Sequence, residues 1–288
     1  KPEPAPESRA ITFSVSEWEQ DGQTRTTYSK NEKGASVQWT AGDAIGVYPY
    51  LTDGGDIPAS RNQIDFIISQ GTASANTCVF DGGSWSLRDG WSYWAYYPFS
   101  IQTYQINEDY GVIGFKADYN RVLTQVGNDN MDHIAAQDYM FAAPKEVSDN
   151  GSINFEMKHL STILEFDLKL PAGTEGKANS LKVNREDGSE GFIGFCIYDL
   201  NDDGSINRYT TFYNYELNLK FENTTITNNS LTAYVIAGQF NNYGNERFIV
   251  SLTTDNGLYV GTIEPEESTF EGGHIYKFAC NLSEVASE

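Results

Sequence analysis

Ile153-Asn154-Phe155-Glu156-Met157, followed by Leu164-Glu165-Phe166-Asp167-Leu168-Lys169-Leu170, alternates apolar and polar residues with a period of two. That period belongs to a strand with one dry face and one wet face. The same alternation recurs outward from it: Ile11, Phe13 and Val15 near the start, and Leu217, Leu219 and Phe221 further on. Turn pairs separate the runs, among them Asp53-Gly54, Asp89-Gly90, Asn150-Gly151, Asp187-Gly188 and Asn256-Gly257. Such pairs accept the positive φ of a tight hairpin. Only Arg121 to Ala136 leaves room for a short helix, so the chain reads as all-β, with antiparallel sheets packed as sandwiches.

A chain of 288 residues exceeds the usual span of one hydrophobic core, which favours two domains. The polar stretch Pro144 to Ser152 precedes a fresh alternating run and is read as the linker. The expected division is residues 1–147, with 1–9 as a flexible tether, and residues 148–288. Trp39 and Phe66 are expected in the first core, and Phe166 and Phe278 in the second. The tether, Lys1-Pro2-Glu3-Pro4-Ala5-Pro6-Glu7-Ser8, is extended by composition. A chain that opens at Lys1, with no signal-peptide segment, reads as a mature form.

The net charge of -21 disfavours nucleic acid, whose phosphates require clustered Lys and Arg. Anionic membrane surfaces are disfavoured for the same reason. Cys78, Cys196 and Cys280 make neither a CxxC pair nor an even disulfide framework, and Cys280 reads as a buried, inert thiol. His133, His159 and His274 are followed four residues on by Gln137, Ile163 and Phe278, so no HExxH occurs. GxSxG, P-loop and GxGxxG motifs are also missing, and no cofactor or catalytic residue is nominated. His159 shares the face of Phe155 and Met157 and is expected as a hydrogen-bonded core histidine.

Two stretches carry a weaker chemical signal. Asp199, Asn201 and Asp203, followed by Gly204 and Ile206, copy the opening positions of a calcium loop. Position twelve is Thr210 where a bidentate Glu belongs, and the flanks read as strands, so an acidic hairpin tip is the preferred reading. The aromatic run Trp91 to Phe99 resembles a sugar-stacking platform, yet alternate residues of a strand face opposite ways, which makes a core strand the better assignment. Exposure of Trp85, Trp91 and Trp94 separates the two. Paired carboxylates of a glycosidase remain the third alternative.

Four segments in order resemble one family: Trp39 to Tyr48, Tyr93 to Pro98, Asp138-Tyr139-Met140 and Phe155 to Ser161. With the first strand from Ala10 and the closing Gly272-Gly273-His274-Ile275-Tyr276, they are similar to the fimbrillin-like proteins of Bacteroidales. The resemblance implies two tandem transthyretin-like β-sandwiches in a non-enzymatic fimbrial subunit or adhesin. It places that subunit at the cell surface, in a fimbrium or held at the outer membrane by a lipid anchor upstream of this chain. A surface glycan-binding lipoprotein is the alternative.

In polymerising relatives, a protease cuts after an Arg beyond the first strand, and a neighbour's strand fills the vacated groove. The resemblance thus makes Arg25 the maturation cleavage candidate. It makes Ile11, Phe13 and Val15 the inward residues of a removable first strand. Expected partners are other fimbrial subunits, together with host or bacterial surface ligands. Only Ser283 to Glu288 follows the last strand, which supplies no apolar donor segment; this counts against a stalk role and leaves tip, anchor and non-polymerising surface lipoprotein open.

Overall fold

The computed structural model describes residues 11–15, 29–31, 34–36, 39, 43–50, 64–68, 77–81, 87, 90–99, 103–107, 112–148, 153–200 and 205–286. Among them are 24 strands, numbered in chain order from β1 (Ile11–Val15) to β24 (Ser283–Glu284), and one short 3-10 helix, Asp132–Gln137. The architecture is all-β, as the alternation predicts. Arg121 to Ala136 holds strand β10 (Leu123–Val126) as well as most of that helix.

The first sheet runs β1, β12 (Ile153–His159), β11 (Met140–Glu146), β7 (Ser92–Tyr97), β4 (Ala44–Tyr50), β5 (Ile64–Ile68) and β6 (Thr77–Asp81). Strand β6 then pairs with β1, so β1 joins the two ends. Strand β7 is the centre of this layer, with Tyr93 to Tyr97 all buried. Its even residues stack outward, Trp94 on Tyr48 at 5.0 Å and Tyr96 on Phe115 at 4.6 Å. Tyr97 instead meets Trp39 edge-on at 5.3 Å. Gly46 makes this packing feasible, because a Cβ there would lie 2.3 Å from the Tyr96 ring.

Phe115 belongs to a second layer: β8 (Thr103–Asn107), β9 (Val112–Asp118), β15 (Phe192–Leu200) and β16 (Ile206–Asn214). Here β9, from the first half of the chain, pairs antiparallel with β15, from the second. Phe115 stacks on Tyr198 at 5.4 Å across that pairing. The aromatic run from Trp91 is therefore core: Trp94 is 4% exposed and Trp91 is partly buried against the same cluster. Trp85 and the side chain of Phe66 lie outside the described residues.

Two of the remaining sheets form a sandwich. One is β10, β17 (Glu216–Glu222), β14 (Ala178–Arg185), β20 (Phe248–Thr254), β21 (Gly257–Ile263) and β24; the other is β18 (Ser230–Gly238), β13 (Ser161–Lys169) and β23 (Ile275–Asn281). Phe166 stacks on Phe278 at 5.6 Å, and Phe248 reaches Phe278 from the facing sheet at 6.3 Å. Burying each such ring contributes about 1.5–3 kcal/mol. Trp39, Phe166 and Phe278 are thus buried as expected. The hairpin from β20 to β21 turns on Asp255 and Asn256, with Thr254 opposite Gly257, one residue earlier than the Asn256-Gly257 pair suggests.

The first part of the stretch read as a linker lies in a strand. Pro144 to Glu146 are the last residues of β11, and β11 pairs antiparallel with β12. A division at residue 147 would separate these hydrogen-bonded neighbours, and the chain, which has already entered the sandwich in β10, leaves the first sheet for the last time at Leu160. The polarity and the Asn150-Gly151 signal suit a connection inside one sheet as well as they suit a linker.

Candidate assembly site

Strand β1 is short and stands between two strands that do not otherwise meet. It pairs in parallel with β12, placing Ile11 opposite Ile153, Phe13 opposite Phe155 and Val15 opposite Met157. On its other side it pairs antiparallel with β6, from Ile11 with Phe80 to Ser14 with Thr77. Ile153, Phe155 and Met157 are all buried, so the first strand lies in register with a dry row of β12. Parallel pairing is slightly the weaker of the two types per residue. Removing β1 would leave two unpaired strand edges, β6 and β12, facing one slot. Arg25 lies outside the described residues.

The four family segments converge close to the crossover at Leu160. The Tyr97 hydroxyl donates to Asp43 Oδ1 at 3.0 Å. Burial, reinforced by Asp43, holds that phenol well above the ordinary tyrosine range. His159 Nδ1 lies 2.8 Å from Asp138 Oδ1 with both side chains fully buried. Because the carboxylate only accepts, Nδ1 is the protonated nitrogen. The Leu160 amide donates to the Tyr139 carbonyl at 2.8 Å.

Ser161 completes the crossover. Its hydroxyl donates to the Gln137 carbonyl at 3.0 Å and accepts from the Tyr139 amide at 3.1 Å, with the Tyr119 hydroxyl 3.0 Å away. A buried Asp-His pair beside a serine suggests hydrolytic chemistry, but this serine's proton is committed to a main-chain carbonyl. The arrangement fixes strand positions and presents no nucleophile to solvent. Gly273, at φ 81°, lets its amide approach and donate to the Ser161 carbonyl at 2.8 Å.

The calcium-loop reading meets a hairpin. Asp199 lies in β15 opposite Asn207 of β16, Thr210 lies in β16 opposite Cys196, and Asn201 and Asp203 fall outside the described residues. The flanks are strands, whereas a helix-loop-helix calcium site needs helices. One structural residue goes unsignalled in the sequence: Gln125, fully buried. Its amide nitrogen donates to Gly127 and Thr232 carbonyls, while its oxygen accepts from the Tyr234 amide. That single side chain ties β10 to β18.

The fimbrillin-like family matches residues 24–288 of this chain. The solved structure of a candidate cell-adhesion protein from Bacteroides ovatus is 15% identical, with 99% of each chain covered and a TM-score of 0.55. Another such protein, from Bacteroides uniformis, is 15% identical over 97% of this chain and 98% of its own, also with a TM-score of 0.55. The fimbrial anchor protein Mfa2 from Porphyromonas gingivalis is 12% identical over 86% of this chain and 78% of its own, at a TM-score of 0.29. At such identities the first two speak for fold alone. No curated protein matches the chain. The family match extends over most of the sequence and takes in all four converging segments, so this protein belongs to the fimbrillin-like family.

Proposed function

We propose that the chain is a non-enzymatic cell-surface subunit of a fimbrium, or a fimbria-related adhesin, that joins other subunits by exchanging its first strand. Family membership supports the subunit role. The observation that carries strand exchange is the position of β1, which bridges β6 directly to β12. A strand from a neighbour would restore both rows of backbone hydrogen bonds and fill the same dry register, the logic of strand addition. In this proposal Arg25 is the cleavage point. The subunit reaches the surface by export, held at the outer membrane through a lipid group upstream or built into a fimbrium. Among the described residues no helix is long and apolar enough to cross a membrane.

Limited trypsin treatment tests this. Cleavage at Arg25 ahead of other sites, followed by new binding of a hydrophobic dye, is the expected result, and Arg25→Ala should prevent both. A nicked protein that binds no dye and stays monomeric would favour a monomeric adhesin.

A further inference from the structure

Away from β1, a cavity of about 350 Å³ opens where the turn between β16 and β17 approaches the segment before β10, the 3-10 helix and β18. Leu123, Leu217 and Leu219 give it an apolar floor, and all three are buried. The rim is aromatic and polar. Tyr215 is 58% exposed, too much for a core aromatic, and the neighbouring Glu190 carboxylate raises its phenol above the ordinary range. Nothing in the alternation singles out this tyrosine, because it lies in a turn.

Two carboxamides converge at the same rim. A Cβ on Gly194 would lie 2.7 Å from Asn120 Oδ1 and 3.0 Å from Asn214 Nδ2, so an acceptor and a donor meet above that glycine. Neither side-chain amide makes a hydrogen bond among the described residues. Arg121 is exposed beside them and forms no ion pair among the described residues. Glu216 is already engaged, 2.8 Å from Lys182. Among the Arg, Lys, Asp and Glu side chains that line the cavity, Arg121 is set against Glu216.

We propose that this cavity binds a neutral sugar unit, stacked on Tyr215 and held through its hydroxyls by Asn120, Asn214 and Arg121. A pyranose offers an apolar C–H face and an edge of neighbouring hydroxyls. The tyrosine ring suits the first, and paired amide and guanidinium groups suit the second. The volume stands near the lower end of the range for ligand pockets, about 300–1,000 Å³, which fits one ring better than an extended chain. The balanced rim and the net charge of -21 disfavour an acidic sugar. The cavity involves neither β1 nor the segment around Arg25, so sugar binding and strand exchange succeed or fail separately.

Saturation-transfer NMR and calorimetry on the full chain test the site, with methyl glycosides of neutral hexoses and N-acetylhexosamines as probes and methyl glucuronide as the acidic comparison. The expected result is transfer to at least one neutral glycoside. Tyr215→Ala should weaken it about tenfold or more, without lowering the thermal midpoint, because the ring is exposed. Asn214→Ala, and Gly194→Ala, whose Cβ would press on both amides and on the Phe212 ring, should weaken it as well. If either variant fails to fold, Tyr215→Ala and Arg121→Ala decide the matter. No transfer to any neutral probe, undiminished transfer in Tyr215→Ala, or a preference for the glucuronide would overturn the proposal.

Discussion

His159 Nδ1 and Asp138 Oδ1 meet at 2.8 Å with both side chains fully buried, at the point where the chain leaves its first sheet for the sandwich. Asp138 follows the 3-10 helix and His159 closes β12, so the pair joins two segments that the β11–β12 pairing otherwise holds together. Removing one partner costs the other a buried, charge-assisted hydrogen bond. Asp138→Ala or His159→Ala should cost about 2–4 kcal/mol of unfolding free energy in chemical denaturation, and the double variant should cost less than the sum. Additive losses would mean the two side chains act independently.

The sandwich rests on Phe166, fully buried between Phe278 and its neighbours. Phe166→Ala should lower stability by about 3–5 kcal/mol, through lost transfer energy and the cavity left behind. Gly46→Ala tests the first sheet by the opposite route, overpacking. Its Cβ would press on the Tyr96 ring at 2.3 Å, and a loss of about 1–3 kcal/mol is expected.

Alkaline pH should weaken the fold. Burial pushes the Cys196 thiol up to about 12 and the Cys280 thiol up to about 11, and it raises the Tyr119 and Tyr198 phenols. Below the ordinary thiol value both thiols are protonated in the folded and unfolded states alike, so they contribute no slope. Above that value the unfolded chain loses those protons first, and stability falls as pH climbs toward about 12. Denaturant midpoints measured from about pH 7 to 11 should show that decline. The same thiols should resist alkylation at about pH 8 until the protein is unfolded.

Strand content was legible because alternation is local: β12 and the latter half of β13 can be read directly from Ile153 to Leu170. Partner choice is not local. Nothing in β9 or β10 announces that β9 pairs with β15, or β10 with β17, since those pairings join residues far apart in sequence. Pro144 to Ser152 looked like a linker because polarity marks any exposed connection. The first six residues of β13 are all buried, Glu165 included, with Lys277 3.4 Å from its carboxylate. Alternation alone gives that charge to solvent. At the candidate site, the position of β1 between β6 and β12 required the fold.

Calcium should have little effect. Asp199 is held in a strand pair opposite Asn207, and Thr210 occupies the position of the bidentate ligand. Calorimetric titration should reveal no site tighter than about 10⁻⁴ M, the weak extracellular range. Tight binding abolished by Asp199→Ala would contradict the acidic-turn reading.

Exchange of β1 is tested most directly by strand uptake. The protein is nicked at Arg25 and incubated with a fluorescent peptide of residues 10–16, and bound label is measured after gel filtration. The account predicts stable uptake by the nicked protein, none by the intact protein, and loss when Phe13 of the peptide is replaced by Asp, because Phe13 lies opposite buried Phe155. Equal labelling of nicked and intact protein, or no labelling of either, would contradict it.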